Sequence, residues 1–220
     1  MASRTALLLG ASGLIGSLCL QELLRAEAYR NVVALVRSPL GMQHAKLASH
    51  VVDFKRRETF AEFTRVDDVF SCIGTTRSQA ASDQAYRRIE FDIPNDVAQL
   101  SFERGAAQFL IISSVGANPR SRVFYTRLKG EIEQALGRMP FQSVHIFRPS
   151  FLMGARPQTR PTEIALAKAA PFFSWMLAGP LRKNKPIQAA VVARAMVRAA
   201  LAGASGVQIY EFDRIQALGT

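Results

Sequence analysis

Short apolar runs alternate with amphipathic stretches through the first two-thirds of the chain. The runs are Ala6–Leu9, Asn31–Val36, His50–Phe54, Asp68–Ile73 and Gln108–Ile112, and a sixth ends at Arg148-Pro149-Ser150. None of the first five exceeds six residues, the length of a fully buried strand. Between them Ser17–Ala26, Gln84–Arg104 and Phe124–Leu136 carry apolar residues at helical spacing, with a kink expected at Pro94. Strand alternating with helix requires right-handed crossovers, and so a parallel sheet with helices on both faces. The pattern therefore predicts an α/β protein with a three-layer, doubly wound parallel sheet. Residues 1–220 read as a single domain, in which residues 150–220 form a small substrate-side extension.

The first strand runs straight into Gly10, Gly13 and Gly16, and a helix follows. Strand, glycine turn and helix together make a phosphate site. Gly10 allows the sharp turn, Gly13 lets a pyrophosphate approach the backbone, and Gly16 lets the helix pack closely. The N–H groups of Ser12, Gly13, Leu14 and Ile15 are expected to face the phosphates, helped by the helix dipole. The second strand ends at Arg37, about 20 residues on, where an acid would hold the ribose hydroxyls of NAD. An arginine there suits a 2′-phosphate instead, with Ser38 as a further donor. NADP(H) is thus expected over NAD(H). Asp53 ends the third strand and is a candidate for the adenine amino group, with a solvated loop aspartate as the rival reading. Gly74 follows the fourth strand and would let the chain pass close to the cofactor ribose. The fifth strand ends at Ser113-Ser114.

Tyr125 and Lys129 form Y-x-x-x-K on one face of the third helical segment. A phenol alone is too weak an acid–base at neutral pH, and an ammonium one turn away stabilises its anion. Tyr125 could then give a proton to a carbonyl as hydride arrives, and Ser114 could hold the same oxygen.

The remaining third is less patterned. Thr162-Glu163 could begin a helix through Ala169, and Ile187–Leu201 has helical spacing. Gly206–Phe212 reads as a closing strand. For the aromatic stretch Pro171–Leu177 core packing is the first reading, and a substrate lid or a homodimer contact the second.

Composition narrows the classes. An apolar fraction of 49% against 20% charged residues indicates a globular chain. Arg4 precedes too short an apolar run for a signal peptide, and no stretch is long enough to span a membrane. The net charge of +11 is scattered and lacks interleaved aromatics, so a basic surface attracting anionic cofactors is expected and a dedicated nucleic-acid site is not. Cys19 and Cys72 read as free thiols in a reducing compartment, which places the protein in the cytoplasm. His44, His50 and His145 stand far apart in sequence, and no metal site is expected.

The segments LLLGASGLIG, ALVRS, CIGTT, LIISSVGAN, YTRLKGEIE and IFRPSFLMG occur in order. Together they resemble an atypical short-chain dehydrogenase/reductase of the NAD(P)-binding Rossmann fold. The nearest branch is that of the Tat-interacting-protein-like oxidoreductases and their epimerase/dehydratase relatives. The resemblance implies catalytic roles for Ser114, Tyr125 and Lys129. It also implies a pyrophosphate seat at Gly10, Ser12, Gly13, Leu14 and Ile15, and Arg37 on the 2′-phosphate. Cys72, Ile73, Gly74 and Ser113 would line the cofactor, and Arg148, Pro149 and Phe151 would wall its nicotinamide side. The function so implied is hydride transfer between NADP(H) and a small carbonyl or alcohol. Two alternatives stand beside it: an NADPH-binding regulatory protein without turnover, and an epimerase that retains its cofactor.

Overall fold

The structure, a computed structural model, describes residues 3–75, 79–154 and 184–220. The helix expected from Thr162 and the aromatic stretch Pro171–Leu177 lie outside these residues. Six strands precede the last third or adjoin it: β1 (Arg4–Leu9), β2 (Tyr29–Val36), β3 (Leu47–Val51), β4 (Asp68–Ser71), β5 (Gln108–Ile112) and β6 (Ser143–Phe147). Two short strands, β7 (Leu152–Met153) and β8 (Ile187–Gln188), pair with each other, and β9 (Gly206–Tyr210) closes the main sheet. That sheet has the order β3-β2-β1-β4-β5-β6-β9, and every pairing in it is parallel. The chain order reverses between β1 and β4, so the crevice at this switch point opens over the carboxyl ends of the strands.

Alternation along each strand sorts side chains onto two faces. Ala6, Leu8, Val32, Ala34, Phe70, Leu110 and Ile112 pack with helices α1 (Leu14–Arg25) and α5 (Ala189–Leu201). Leu7, Leu9, Leu35, Val69, Phe109 and Ile111 pack on the other face with α3 (Ile93–Glu103) and α4 (Phe124–Gly137). Burial on both faces is why these strands read as continuous apolar runs.

The expected long helix from Gln84 is three pieces: α2 (Asp83–Arg87), a π-turn at Arg88–Asp92, and α3 with Pro94 in its first turn. A proline lacks the N–H that would continue the ladder, and the π-turn absorbs the mismatch. A closing helix, α6 (Phe212–Gly219), follows β9 and was not expected. Gly219 lets it dock, since a Cβ there would lie 2.1 Å from the Val191 carbonyl oxygen. Arg194 and Arg198 donate to the carbonyls of Gly219 and Leu218.

Two polar networks are buried at the edges of these layers. Asp68 accepts from Tyr29 Oη at 2.7 Å and pairs with Arg4, and burial still pushes its carboxyl up to about 6. His145 Nε2 lies 3.1 Å from Gln108 Oε1, and its Nδ1 lies 2.9 Å from Tyr210 Oη. Gln108 Nε2 donates to the Ala200 carbonyl, so Oε1 faces the ring as an acceptor, and the neutral Nε2–H tautomer satisfies both contacts. Burial, with Arg214 nearby, pushes the His145 imidazole down to about 4. An unfolded histidine protonates near 6.5. The stability His145 contributes is therefore present above about 6.5 and is lost as the pH falls toward 4. Urea midpoints measured between pH 7 and 4 should fall less steeply in His145→Gln than in the wild type.

Candidate active site and cofactor cleft

The turn after β1 is built on a close approach. Gly10 has φ +81°, and a Cβ on it would lie 2.7 Å from the carbonyl carbon of Cys72. Only glycine satisfies both conditions. Its carbonyl accepts from Gly13 N at 2.8 Å and sits where a Cβ on Gly16 would be, at 1.9 Å. The Gly13 N–H is thus committed to the turn. Gly13 then caps α1, whose first turn has no side-chain cap and presents the N–H groups of Leu14 and Ile15.

A cleft of about 380 Å³ opens beside this turn. Gly10, Ser12 and Gly13 line it, with Arg37 after β2 and Cys72, Ile73, Gly74 and Thr75 after β4. Leu35, Val36 and Phe54 add apolar walls, and Ile89 and Ile93 close the far side. Phe54 lines the cleft where the sequence pointed to its neighbour. The strand itself ends at Val51, and the exposed Asp53 instead accepts from Lys55 N at 2.9 Å to cap a turn. Arg37 is exposed, and among the described residues no carboxylate pairs with it. A shaped recess, bare N–H groups at a helix start and an unpaired guanidinium fit the diphosphate and the adenosine half of a dinucleotide.

The catalytic candidates sit on α4 and just after β5. Tyr125 is 38% exposed in the first turn of α4, which leaves its phenol open to a substrate. Lys129, one turn on, is only 4% exposed. Its Nζ donates to the Ile112 carbonyl at 3.0 Å and lies 2.7 Å from Glu90 Oε2. Burial alone would push this ammonium down, but Glu90, Tyr125 and Glu133 outweigh burial and the net shift is upward. Ser114, half-buried, follows β5 and donates to the Val115 carbonyl at 3.2 Å. The loop carrying it is pressed onto α4 at Gly130, where a Cβ would lie 2.2 Å from Pro119 N. Asn118 N donates to the Thr126 carbonyl at 2.9 Å and ties the same loop to the helix.

Ser113 and Arg148 meet beneath this layer. The Ser113 hydroxyl donates to Glu133, the next residue on the Tyr125–Lys129 face. Arg148 forks onto the same carboxylate, with Nε to Oε1 at 3.0 Å and an Nη to Oε2 at 2.5 Å. Both side chains are therefore committed to Glu133 and support the strand ends. Pro149 is buried, and its carbonyl accepts from Val115 N at 3.1 Å. Phe151 is 63% exposed. Cys72 lies 3.8 Å from Met196 through their sulfurs, and a hydrogen bond to Cys72 together with burial pushes the Cys19 thiol well up.

Sequence reasoning missed Glu90 and Glu133. Both carried a signal. Glu133 falls four residues after Lys129, and Glu90 interrupts the apolar stripe Tyr86, Ile93 and Val97. Among the described residues no group of three His, Cys, Asp or Glu could hold a metal ion, and no helix is long and apolar enough to cross a membrane.

The geometry is that of an α/β protein whose doubly wound parallel sheet carries a glycine-lined cleft at its switch point. Residues 6–137 match the NAD dependent epimerase/dehydratase family, and the chain belongs to it. It is 30% identical to Protein HTATIP2 of Rattus norvegicus over 224 residues, covering 100% of this chain and 90% of that one. It is 32% identical to the protein fmp52, mitochondrial, of Aspergillus fumigatus over 206 residues, covering 90% and 88%. Among solved structures it superposes on the Bordetella bronchiseptica enzyme WbmH in complex with NAD+, with a TM-score of 0.70, 16% identity, and 94% and 75% of the two chains covered. It also superposes on the UDP-glucose 4-epimerase of Thermotoga maritima with UDP-glucose, with a TM-score of 0.70, 14% identity, and 94% and 76% covered. These likenesses make the sheet a Rossmann fold.

Gly130→Ala should force the 118–119 loop off α4. It is expected to lower stability by about 1–3 kcal/mol, read from the urea midpoint at constant slope.

Proposed function

We propose that the protein is an NADP(H)-dependent oxidoreductase that transfers a hydride to or from a small carbonyl or alcohol. One observation carries the reading. An open tyrosine lies one helical turn from a buried, charged lysine on α4, and that lysine's partner Glu90 accepts from Thr75 N in the wall of a glycine-lined cleft. NADP(H), when bound, supplies or accepts the hydride. The chain's residues do the rest. Leu14 and Ile15 offer backbone N–H groups to the diphosphate, and Arg37 takes the 2′-phosphate. Leu35, Val36 and Phe54 flank the adenine.

Tyr125 gives its phenolic proton to the substrate oxygen during reduction and takes it back during oxidation. Lys129 stabilises the phenolate left behind, and Ser114 donates to the same substrate oxygen. The preference for the 2′-phosphate rests on Arg37, because no acid at the end of β2 can accept ribose hydroxyls. The two unpaired thiols favour a cytoplasmic location, while the fungal relatives carry the word mitochondrial in their names.

Calorimetric titration should show NADPH binding at least about tenfold tighter than NADH, a gap of about 1.4 kcal/mol. Arg37→Ala should close that gap. Tyr125→Phe should abolish turnover across a carbonyl panel while NADPH affinity stays nearly unchanged. Turnover by Tyr125→Phe would overturn the acid–base assignment. Binding without turnover by the wild type would mark a regulatory protein, and nucleotide retained through purification an epimerase.

A further inference from the structure

Glu90 is 2% exposed, and its carboxylate lies beneath the cleft, not on a solvated face. Its Oε1 accepts from Thr75 N at 2.6 Å, at the exit of β4 where Gly74 and Thr75 line the cleft. Its Oε2 faces Lys129 Nζ at 2.7 Å, as a charge contact, and makes no hydrogen bond of good angle to any group. A buried carboxylate without its partner charge carries a large desolvation penalty. The pair is therefore mutually obligatory. The π-turn at Arg88–Asp92 that interrupts the α2–α3 helix contains Glu90 itself, and such bulges recur at functional sites.

We propose that Glu90 is a positioning residue for the Tyr125–Lys129 pair, the counter-ion that holds Lys129 charged and fixed beneath the cleft. The proposal rests on the reading of Tyr125 and Lys129 as the acid–base pair. An ammonium has three N–H groups. One goes to the Ile112 carbonyl of β5, and the Glu90 carboxylate faces the head of the ammonium. Among the described residues, three groups raise the proton affinity of Lys129 most. Glu90 approaches from the π-turn, Tyr125 and Glu133 share its helix, and Arg148 at the end of β6 draws on Glu133 from behind. Glu133 is therefore already engaged by a guanidinium, and Glu90 is the carboxylate that Lys129 holds for itself. Through Thr75 N the same carboxylate ties the cleft wall to the catalytic lysine, so a nucleotide seated against Gly74 and Thr75 also bears on the position of Nζ.

The test is a ¹³Cε NMR titration of the lysines in the intact protein, with the Lys129 signal assigned by its loss in Lys129→Arg. Lys129 in the wild type should stay charged at least to pH 10. In Glu90→Gln, which keeps an oxygen for Thr75 N, its proton affinity should fall at least tenfold, one pH unit. A Lys129 titration unmoved in Glu90→Gln overturns the proposal, because a merely structural Glu90 would leave it in place. Should Glu90→Gln not fold by circular dichroism, Glu90→Met carries the same test. Its neutral side chain removes the charge while filling the space, and an unshifted Lys129 there is equally decisive against the proposal. NADPH titration of the wild type runs alongside. If NADPH fails to bind, the oxidoreductase reading falls while the Lys129 titration still decides the role of Glu90.

Discussion

Three segments of chain meet at Gly10, and the site depends on their meeting there. Its Cα lies against the backbone leaving β4, its carbonyl closes the turn with Gly13, and the first turn of α1 rests on that same carbonyl at Gly16. A side chain at Gly10 or Gly16 would separate β1, β4 and α1, and the crevice between β1 and β4 is where the cleft lies. The turn after β1 is thus less a loop than a contact between backbones, which explains why residues without side chains define it.

A second assembly forms around α4. Tyr125, Lys129 and Glu133 stand one turn apart on one face, and each meets a different neighbour. Tyr125 meets solvent, Lys129 meets Glu90 and Ile112, and Glu133 meets Ser113 and Arg148. Leu128, Ile132 and Leu136 fill the adjoining face and hold the helix to the sheet. Apolar packing fixes where the helix lies, and the charged stripe fixes how it is rotated. Buried charges of this kind contribute more to position than to stability.

Most of this was legible because local rules and the global fold agree. The strands read as apolar runs since both faces are covered, and β5 falls where the pattern placed it, Gln108–Ile112. The glycine turn was legible because each glycine answers a steric demand. What the sequence left open lies where long-range contact decides. Asp53 and Phe54 are one residue apart, and only the end of β3 at Val51 determines which of them meets the cleft. Ser113 and Arg148 are cofactor candidates at strand ends, and only the fold shows that a carboxylate twenty residues beyond Ser113 engages both side chains. Gln84–Arg104 has one helical period, and nothing local in that period announces a π-turn at Glu90. The helix after β9 escaped notice because eight residues give too little periodicity to separate it from a strand's end.

Arg148 has a further carboxylate near it, Glu211 at 3.8 Å, and its backbone N–H donates to the Tyr210 carbonyl of β9. The packing of Glu133 on α4 therefore draws on the end of β9 through Arg148. On a ribosome, β1 to β6 can emerge and pair while this anchor is still inside the exit tunnel. The described residues that line the cleft all lie at or before Ile93, but the contacts of Arg148 are complete only when β9 has docked on β6. In this chain the cleft can precede the packing behind α4 in time, as it does in sequence.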